Sequence, residues 1–394
     1  MNILDQEVIL ELFKSYYGFF TAGTFLLAFI LTWYFIPKVL WVTKEKQLVK
    51  EINHRSSHQI EVPSFGGVAF FLVLILIISI LQSLRITYTG NHLIIGLTFL
   101  FMAGLKDDLV VSSARLKFVS QVFAAGFIIF SPELELTNLH GFLGITEIPY
   151  WLGYILKLFV VIALINAYNL IDGIDGLAGI AGIVICTSFA VMFYLISEPY
   201  FVLISVTVVG LLAAFLRYNF SRGHRKIFMG DGGSLTIGFL IAFLALKLLV
   251  RDNSATLLEE GFMPENRVLF LIAILFLPVY DTGRVILIRL SQGNTPFEAD
   301  RNHLHHVLLD NKLSHKQASV LLGFINVLII GLFMMLSKII NSVYLSLIML
   351  ALFVLIALVF EYLRKNRKYR VLSTRLTKKG IKVQIRGLIK NMNF

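Results

Sequence analysis

The sequence predicts an all-α polytopic membrane protein with about eleven transmembrane helices, its amino terminus outside and its carboxyl terminus in the cytoplasm. Three observations carry this. The chain of 394 residues is 57% hydrophobic and only 15% charged, with 34 Phe, an apolar load that a soluble domain has no room to bury. Apolar runs of bilayer-spanning length recur from end to end. Lys and Arg gather in alternate connecting segments.

A run of about 20 apolar residues crosses a bilayer, and such runs fall near 19–41, 66–84, 92–105, 116–131, 151–168, 177–197, 200–217, 233–250, 267–288, 317–337 and 342–363. The first is expected to stay in the protein, because Asp5, Glu7 and Glu11 stand where a secretory leader has a basic region. The third is short. The ninth carries Pro278, Asp281 and Arg284, so it is expected to end early or break. Cys186, the only cysteine, lies within the sixth run; it reads as a buried apolar thiol and excludes an intramolecular disulfide or a Cys-based metal site.

With the amino terminus outside, the inner segments are 42–65, 106–117, 169–176, 217–232, 284–316 and 364–394, and they hold 27 of the 35 Lys and Arg residues. The outer segments 131–150 and 251–266 carry Glu133, Glu135, Glu147, Asp252, Glu259, Glu260 and Glu265. The net charge of +11 is therefore a topology signal, and no nucleic-acid-binding motif accompanies it. Residues 1–363 read as one polytopic domain. Residues 364–394 form a basic cytoplasmic tail suited to a solvated or interfacial position on anionic lipid.

This orientation brings four polar motifs to the cytoplasmic face. Asp107-Asp108 closes the third run, Asn169 to Gly176 links the fifth and sixth, Phe228-Met229-Gly230-Asp231-Gly232-Gly233-Ser234 opens the eighth, and Asp300-Arg301-Asn302-His303-Leu304-His305-His306 lies in the loop after the ninth. Asp-Gly alone is an ordinary turn or helix-start signal. Three acidic motifs on one face are better explained by a shared ligand, because clustered carboxylates repel unless a cation or substrate holds them together. Hard oxygen donors without thiolate suit Mg²⁺, with Mn²⁺ as substitute, and Mg²⁺ commonly completes its shell with substrate phosphate. That combination points to phosphoryl chemistry, which depends on positioning and charge neutralisation.

These motifs resemble those of the polyprenyl-phosphate N-acetylhexosamine-1-phosphate transferases. Asp107-Asp108, the stretch from Asn166 to Ala178, the Phe-Met-Gly-Asp run ending at Asp231, and His303-Leu304-His305-His306 carry the likeness, which extends over roughly 20–340. The loop from Gly293 to His306 is similar to the undecaprenyl-phosphate GlcNAc-1-phosphate transferase branch, which starts enterobacterial common antigen, O-antigen or teichoic-acid linkage units. The peptidoglycan branch, phospho-MurNAc-pentapeptide transferase, has three consecutive histidines where this chain interposes Leu304. The resemblance implies a multi-pass enzyme of the bacterial inner membrane. Its partners would be a UDP-N-acetylhexosamine, GlcNAc by default, and undecaprenyl phosphate; a homodimer is one oligomeric option. The products would be undecaprenyl-diphospho-sugar and UMP.

The same resemblance implies that Asp231 is the Mg²⁺ ligand. Asp107 and Asp108 are further ligands, or the group that orients or deprotonates the lipid phosphate. Asn169 and Asp172 would face the metal and diphosphate, Asp172 in a catalytic role. Asp175 would meet the uracil and Phe228 stack on it. Lys117 would neutralise a phosphate, or else snorkel to the interface as helix-end lysines do. Arg301, His303, His305 and His306 read as phosphate and sugar contacts in a mobile loop in preference to zinc ligands, since a zinc site needs a third or fourth ligand in tetrahedral array. Pro63-Ser64-Phe65-Gly66-Gly67 resembles the family's lead-in to the second span, and the segment 54–58 is the nearest candidate for an additional nucleotide contact. His54, His58, His92, His140, His224 and His315 read as solvated loop residues. A secondary transporter, the rival from another class, would place acids midway through spans and show an inverted repeat; here the motif acids gather at span ends and no such repeat is evident.

Overall fold

The computed structural model describes residues 8, 11–12, 15–48, 62–83, 89–110, 112–251, 261–296 and 300–365. The segment 54–58 and nearly all of the basic tail lie outside them. The described helices are α1 (Tyr17–Glu45), α2 (Gly66–Ser83), α3 (Thr89–Leu109), α4 (Ala114–Ile129), α5 (Tyr150–Ile171), α6 (Leu177–Leu195), α7 (Pro199–Asn219), α8 (Gly230–Val250), α9 (Arg267–Ile274), α10 (Phe276–Ser291), α11 (Leu304–Asp310), α12 (His315–Leu336) and α13 (Ser342–Lys365).

Every predicted apolar run is helical. Among the described residues eight helices are long and apolar enough to cross a membrane, and the predicted ninth run is the pair α9–α10, bent by 75°. The other two predicted spans are less span-like. α4 has only 16 residues, and α3 ends in Lys106, Asp107 and Asp108. The segment between α4 and α5, expected to be an outer acidic loop, contains a β-hairpin in which β1 (Asn138–Phe142) pairs antiparallel with β2 (Ile145–Glu147). Gly141 and Gly144 at its turn have φ of 85° and 84°, a conformation open to glycine at no steric cost.

α8 is the axis of the bundle. It is apolar all round, the signature of a helix with no solvent or lipid face, and 94% of its apolar window is buried, against 22% for α1 and 17% for α13 on the rim. α2, α3, α5 and α6 pack around it. Small residues permit backbone-to-backbone approach at its first turn: a Cβ on Gly67 would lie 2.2 Å from the Gly233 nitrogen, and one on Gly104 2.5 Å from that of Gly232. The functional motifs at this first turn therefore sit on rigid, tightly crossed helices.

The break in the ninth span follows from its proline. Pro278 has no N–H for the carbonyl of Ile274, four residues earlier, and inside a bilayer that acceptor has no water to turn to. Asn326 of α12 repairs both sides of the gap: its Nδ2 donates to the Ile274 carbonyl at 3.2 Å, and its Oδ1 accepts from the Leu277 N–H at 2.9 Å. Asn326 is 1% exposed. We expect Asn326→Leu to destabilise the protein by about 2–5 kcal/mol, since it strands two buried backbone groups. Adding Pro278→Ala should recover part of the loss by supplying the missing N–H. Thermal unfolding in detergent checks this; equal melting of wild type and Asn326→Leu would refute the repair.

Candidate active site

The site begins where two chain segments run side by side ahead of α8. The Phe228 N–H donates to the Pro63 carbonyl at 2.8 Å, and the N–H groups of Gly66 and Gly67 donate to the carbonyls of Phe228 and Met229, both at 2.9 Å. Gly230 then turns with φ 73°, and a Cβ there would lie 2.0 Å from the Ser64 carbonyl oxygen, so only glycine fits. Asp231 follows in the first turn of α8.

Side chains from three other helices converge on that turn. From α3, Asp108 accepts the N–H groups of Asp231 and Gly232, each at 3.0 Å. From α4, the Lys117 ammonium bridges Asp107 Oδ2 at 2.8 Å and Asp231 Oδ2 at 2.6 Å. From α5, Asn169 Nδ2 donates to Asp231 Oδ1 at 3.0 Å and Ser234 Oγ at 2.7 Å. The second oxygen of Asp107 accepts the Ser112 N–H at 2.6 Å. Asp107 and Asp108 are 6% and 5% exposed.

Asp172 lies just past the end of α5, where its N–H donates to the Asn169 carbonyl at 3.2 Å, and its carboxylate makes no hydrogen bond or ion pair among the described residues. Burial, reinforced by the charges of Asp231, Asp108 and Asp175, pushes its carboxyl well above the ordinary carboxylate range. This is the polar vertex that most needs a cation.

Asp175 has a different setting. Burial raises its pKa, but Lys226 at 2.7 Å and His315 at 3.2 Å outweigh that and bring it below the ordinary value. Lys226 Nζ also stands 5.3 Å from the centre of the Phe228 ring. The next residue, Gly176, has φ 80°, and its N–H donates to Asn219 Oδ1 at 2.6 Å; Asn219 Nδ2 in turn donates to the Ile227 carbonyl at 2.9 Å. Asn219 thus ties the Asp175 turn to the Phe228 segment.

The loop expected to be mobile holds its histidines inward: His303 and His305 are 6% and 1% exposed, and His306 is half-buried. His303 Nδ1 lies 3.0 Å from Asp281 Oδ2, while Asp281 Oδ1 accepts the Leu304 N–H at 2.8 Å and so starts α11. His305 packs against the turn beside Asp172, with Nε2 2.5 Å from where a Cβ on Gly173 would sit. Burial, against the pull of Asp281, pushes its imidazole down to about 3. The Nδ1 atoms of His305 and His306 have no hydrogen-bond partner, and the two rings are 4.3 Å apart.

Of the residues singled out in the sequence, Asp107, Asp108, Lys117, Asn169 and Asp231 form one connected centre. Asp175 and Phe228 share Lys226, and the histidines reach the Asp172–Asp175 turn through His305. Arg301 does not join them; it is 72% exposed at its side chain and pairs with Asp310 at 3.7 Å. Two histidines read as solvated are not. His315 contacts Asp175, and His140 Nε2 lies 2.9 Å from the Leu249 carbonyl at the other end of the bundle. Lys226 and Asn219 escaped the sequence reading, and Ser234 and Asp281 were noted there without these roles. Asp281 had a signal, an acid within an apolar run, which was read only as a helix breaker.

The donor set suits a hard divalent cation. Oxygens of Asp231, Asp107 and Asp172 are available types, and Lys117 holds a positive charge between two of them. Among the described residues no three His, Cys, Asp or Glu side chains converge as a cage; Mg²⁺ itself typically takes only one or two protein carboxylates alongside phosphate and water.

Residues 91–249 match the family model of glycosyl transferase family 4. The chain is 30% identical over 311 residues to the undecaprenyl-phosphate alpha-N-acetylglucosaminyl 1-phosphate transferase of Salmonella typhi, covering 77% of this chain and 80% of that one. The protein of the same name from Escherichia coli (strain K12) is 29% identical over 302 residues, 75% of this chain and 78% of the relative. A probable undecaprenyl-phosphate N-acetylglucosaminyl 1-phosphate transferase of Bacillus subtilis (strain 168) is 29% identical over 289 residues, 70% and 75% of the two chains. With the motif centre at the head of its most buried helix and relatives aligned over most of its length, this chain belongs to glycosyl transferase family 4.

Proposed function

We propose that this protein transfers N-acetylglucosamine 1-phosphate from UDP-GlcNAc to undecaprenyl phosphate, giving undecaprenyl-diphospho-GlcNAc and UMP, as the first membrane step of a cell-surface polysaccharide. The observation that carries this is the Asp107–Lys117–Asp231–Asn169 centre on the first turn of α8, joined to relatives whose names specify that chemistry. We place the reaction at the cytoplasmic face of the bacterial inner membrane, on the charge asymmetry of the connecting segments. GlcNAc is favoured over the muramoyl-pentapeptide substrate by the relatives' names and by Leu304 within the histidine run.

The lipid phosphate, a monoester with a second pKa near 6, is largely deprotonated at neutral pH and attacks the β-phosphorus of the nucleotide sugar. The bond between that phosphorus and the bridging oxygen breaks, and UMP leaves with the electron pair. Asp231 and Asp107 would hold Mg²⁺, with Asp172 facing the same space; the ion would supply neutralising charge to the diphosphate. Asp108 has both oxygens on backbone N–H groups, so its role is to fix Asp231. Asn169 orients Asp231 from the other side. Lys117, freed from one carboxylate by a cation, can meet a phosphate oxygen. Asp175, Lys226 and Phe228 offer a carboxylate, an ammonium and a ring to the uridine, and neutral His305 and His306 offer ring nitrogens to the sugar phosphates.

Asp231→Asn should fold normally and lose about 10²–10³-fold in transfer at saturating Mg²⁺, the scale of removing one electrostatic stabiliser. Butanol-extractable product from radiolabelled UDP-GlcNAc measures it; activity within a few-fold of wild type would remove Asp231 from the metal. EDTA should stop the wild-type reaction until Mg²⁺ or Mn²⁺ is restored, whereas zinc-selective chelators should leave it running.

Asp175→Asn should raise KM for UDP-GlcNAc by about tenfold with a smaller fall in kcat, the pattern of lost ground-state binding. An unchanged KM with a collapsed kcat would instead move Asp175 to the reacting centre.

Orientation has its own check. In a Cys186→Ala background, cysteines at Ser112 or Ser221 should resist an impermeant thiol reagent in intact cells, and one at Asn138 should label. The reverse pattern would invert the topology.

A further inference from the structure

At the motif end of the bundle, the tail of α1 and the tail of α7 enclose a cleft of about 820 Å³ that contains none of the site residues described above. Its two walls differ in chemistry. On one, Trp33 and Trp41 are 43% and 66% exposed, with Pro37 and Leu40 beside them. On the other stand Arg217, Arg222 and Arg225. Among the described residues none of these arginines has a carboxylate partner, although Arg251, Arg289 and Arg364 elsewhere each pair with one. Lys44 adds a fourth cation at the rim and ties the walls together, its ammonium donating to the His224 carbonyl at 2.7 Å.

All three arginines are exposed, and guanidinium groups gathered along one wall are a ready site for a multidentate anion. An aromatic and aliphatic wall at the level of a membrane interface takes acyl chain and glycerol. A ligand that satisfies both walls at once carries a phosphate on a hydrocarbon anchor. We propose that the cleft binds the headgroup of an anionic glycerophospholipid, with the phosphate on the arginines and the upper acyl chain against Trp33 and Pro37. This is a site for a bulk membrane lipid, separate from the reacting lipid, which must reach Asp107 and Asp231.

The position of the cleft links it to the nucleotide pocket. Arg222 and Arg225 line it, while in the same segment Lys226 pairs with Asp175 and Phe228 hydrogen-bonds through its backbone to Pro63 and Gly66. Tyr218, also on the cleft, stacks edge-on to Trp33 at 5.5 Å and precedes Asn219, the residue that clamps Gly176. A bound headgroup therefore holds the segment from which Lys226 projects, and, given the proposed function, lowers KM for UDP-GlcNAc in anionic bilayers. The binding claim stands without that reading.

Tryptophan quenching tests binding with no turnover. The chain has three tryptophans, so in a Trp151→Phe background the emission comes from Trp33 and Trp41. The full-length protein is reconstituted in phosphatidylcholine vesicles with rising fractions of brominated phosphatidylglycerol or, in parallel, brominated phosphatidylcholine. Phosphatidylglycerol should reach half-quenching at a several-fold lower mole fraction. Arg217→Gln/Arg222→Gln/Arg225→Gln should erase that preference, a shift of roughly tenfold or more given the worth of each basic residue at an anionic surface. The milder pair Arg222→Gln/Arg225→Gln, both exposed, should lose part of it and guards against misfolding of the triple variant. Equal quenching by the two lipids, or a preference untouched in the arginine variants, would overturn the proposal. Suppression of the preference by millimolar inorganic phosphate would reassign the cleft to a soluble anion, and suppression by a small fraction of polyprenyl phosphate would reassign it to the substrate lipid. Loss of transfer with binding intact would instead count against the proposed reaction alone.

Discussion

The N–H groups of Asp231 and Gly232 open a helix buried on every side, and they have no acceptor within that helix. In a low-dielectric interior such donors cannot be left unpaired, and Asp108 accepts both. The rest of the centre depends on this contact. It fixes α3 against α8 at the crossing of Gly104 and Gly232, and it brings Asp107 to the same locus by adjacency in sequence. A second carboxylate so placed requires a countercharge, which Lys117 provides. The Asp172 carboxylate has no partner among the described residues, and burial beside Asp231, Asp108 and Asp175 raises its pKa, so ionising it calls for further positive charge.

Much of this was legible in the sequence because the bilayer constrains the chain so strongly. Apolar runs gave the helices, and the four polar motifs stood out as the interruptions. The break in the ninth span was legible too, since a proline and two charges in an apolar run permit little else. Its repair by Asn326 was not, because a lone asparagine in the run 317–337 carries no sign of the carbonyl it serves 52 residues away. The short β-hairpin was hidden for another reason. Strands of five and three residues are too brief for alternation to show above the background of an acidic loop.

The histidines mark where composition misleads. A polar loop with three of them reads as mobile, yet it is held by a contact that spacing does not announce: Asp281, in α10, bonds both the first N–H of α11 and His303. The 75° bend is what lets α10 present that carboxylate to the loop. Thus the feature recognised as a helix breaker is also the feature that organises the histidines, and the two observations belong to one device.

Arg301 and Lys226 illustrate the complementary error. Arg301 lies next to the histidines in sequence and was placed with them, yet its side chain is exposed and pairs with Asp310 at the far end of α11. Lys226 belongs to no striking motif, yet it stands between Asp175 and Phe228 because Asn219 pins the two segments together. Sequence adjacency predicts side-chain proximity only within a face of one element. Across a connecting segment the hydrogen bonds that close the loop decide, and here those bonds deliver an ammonium to a carboxylate and an aromatic ring, the set of groups a uridine phosphate can use.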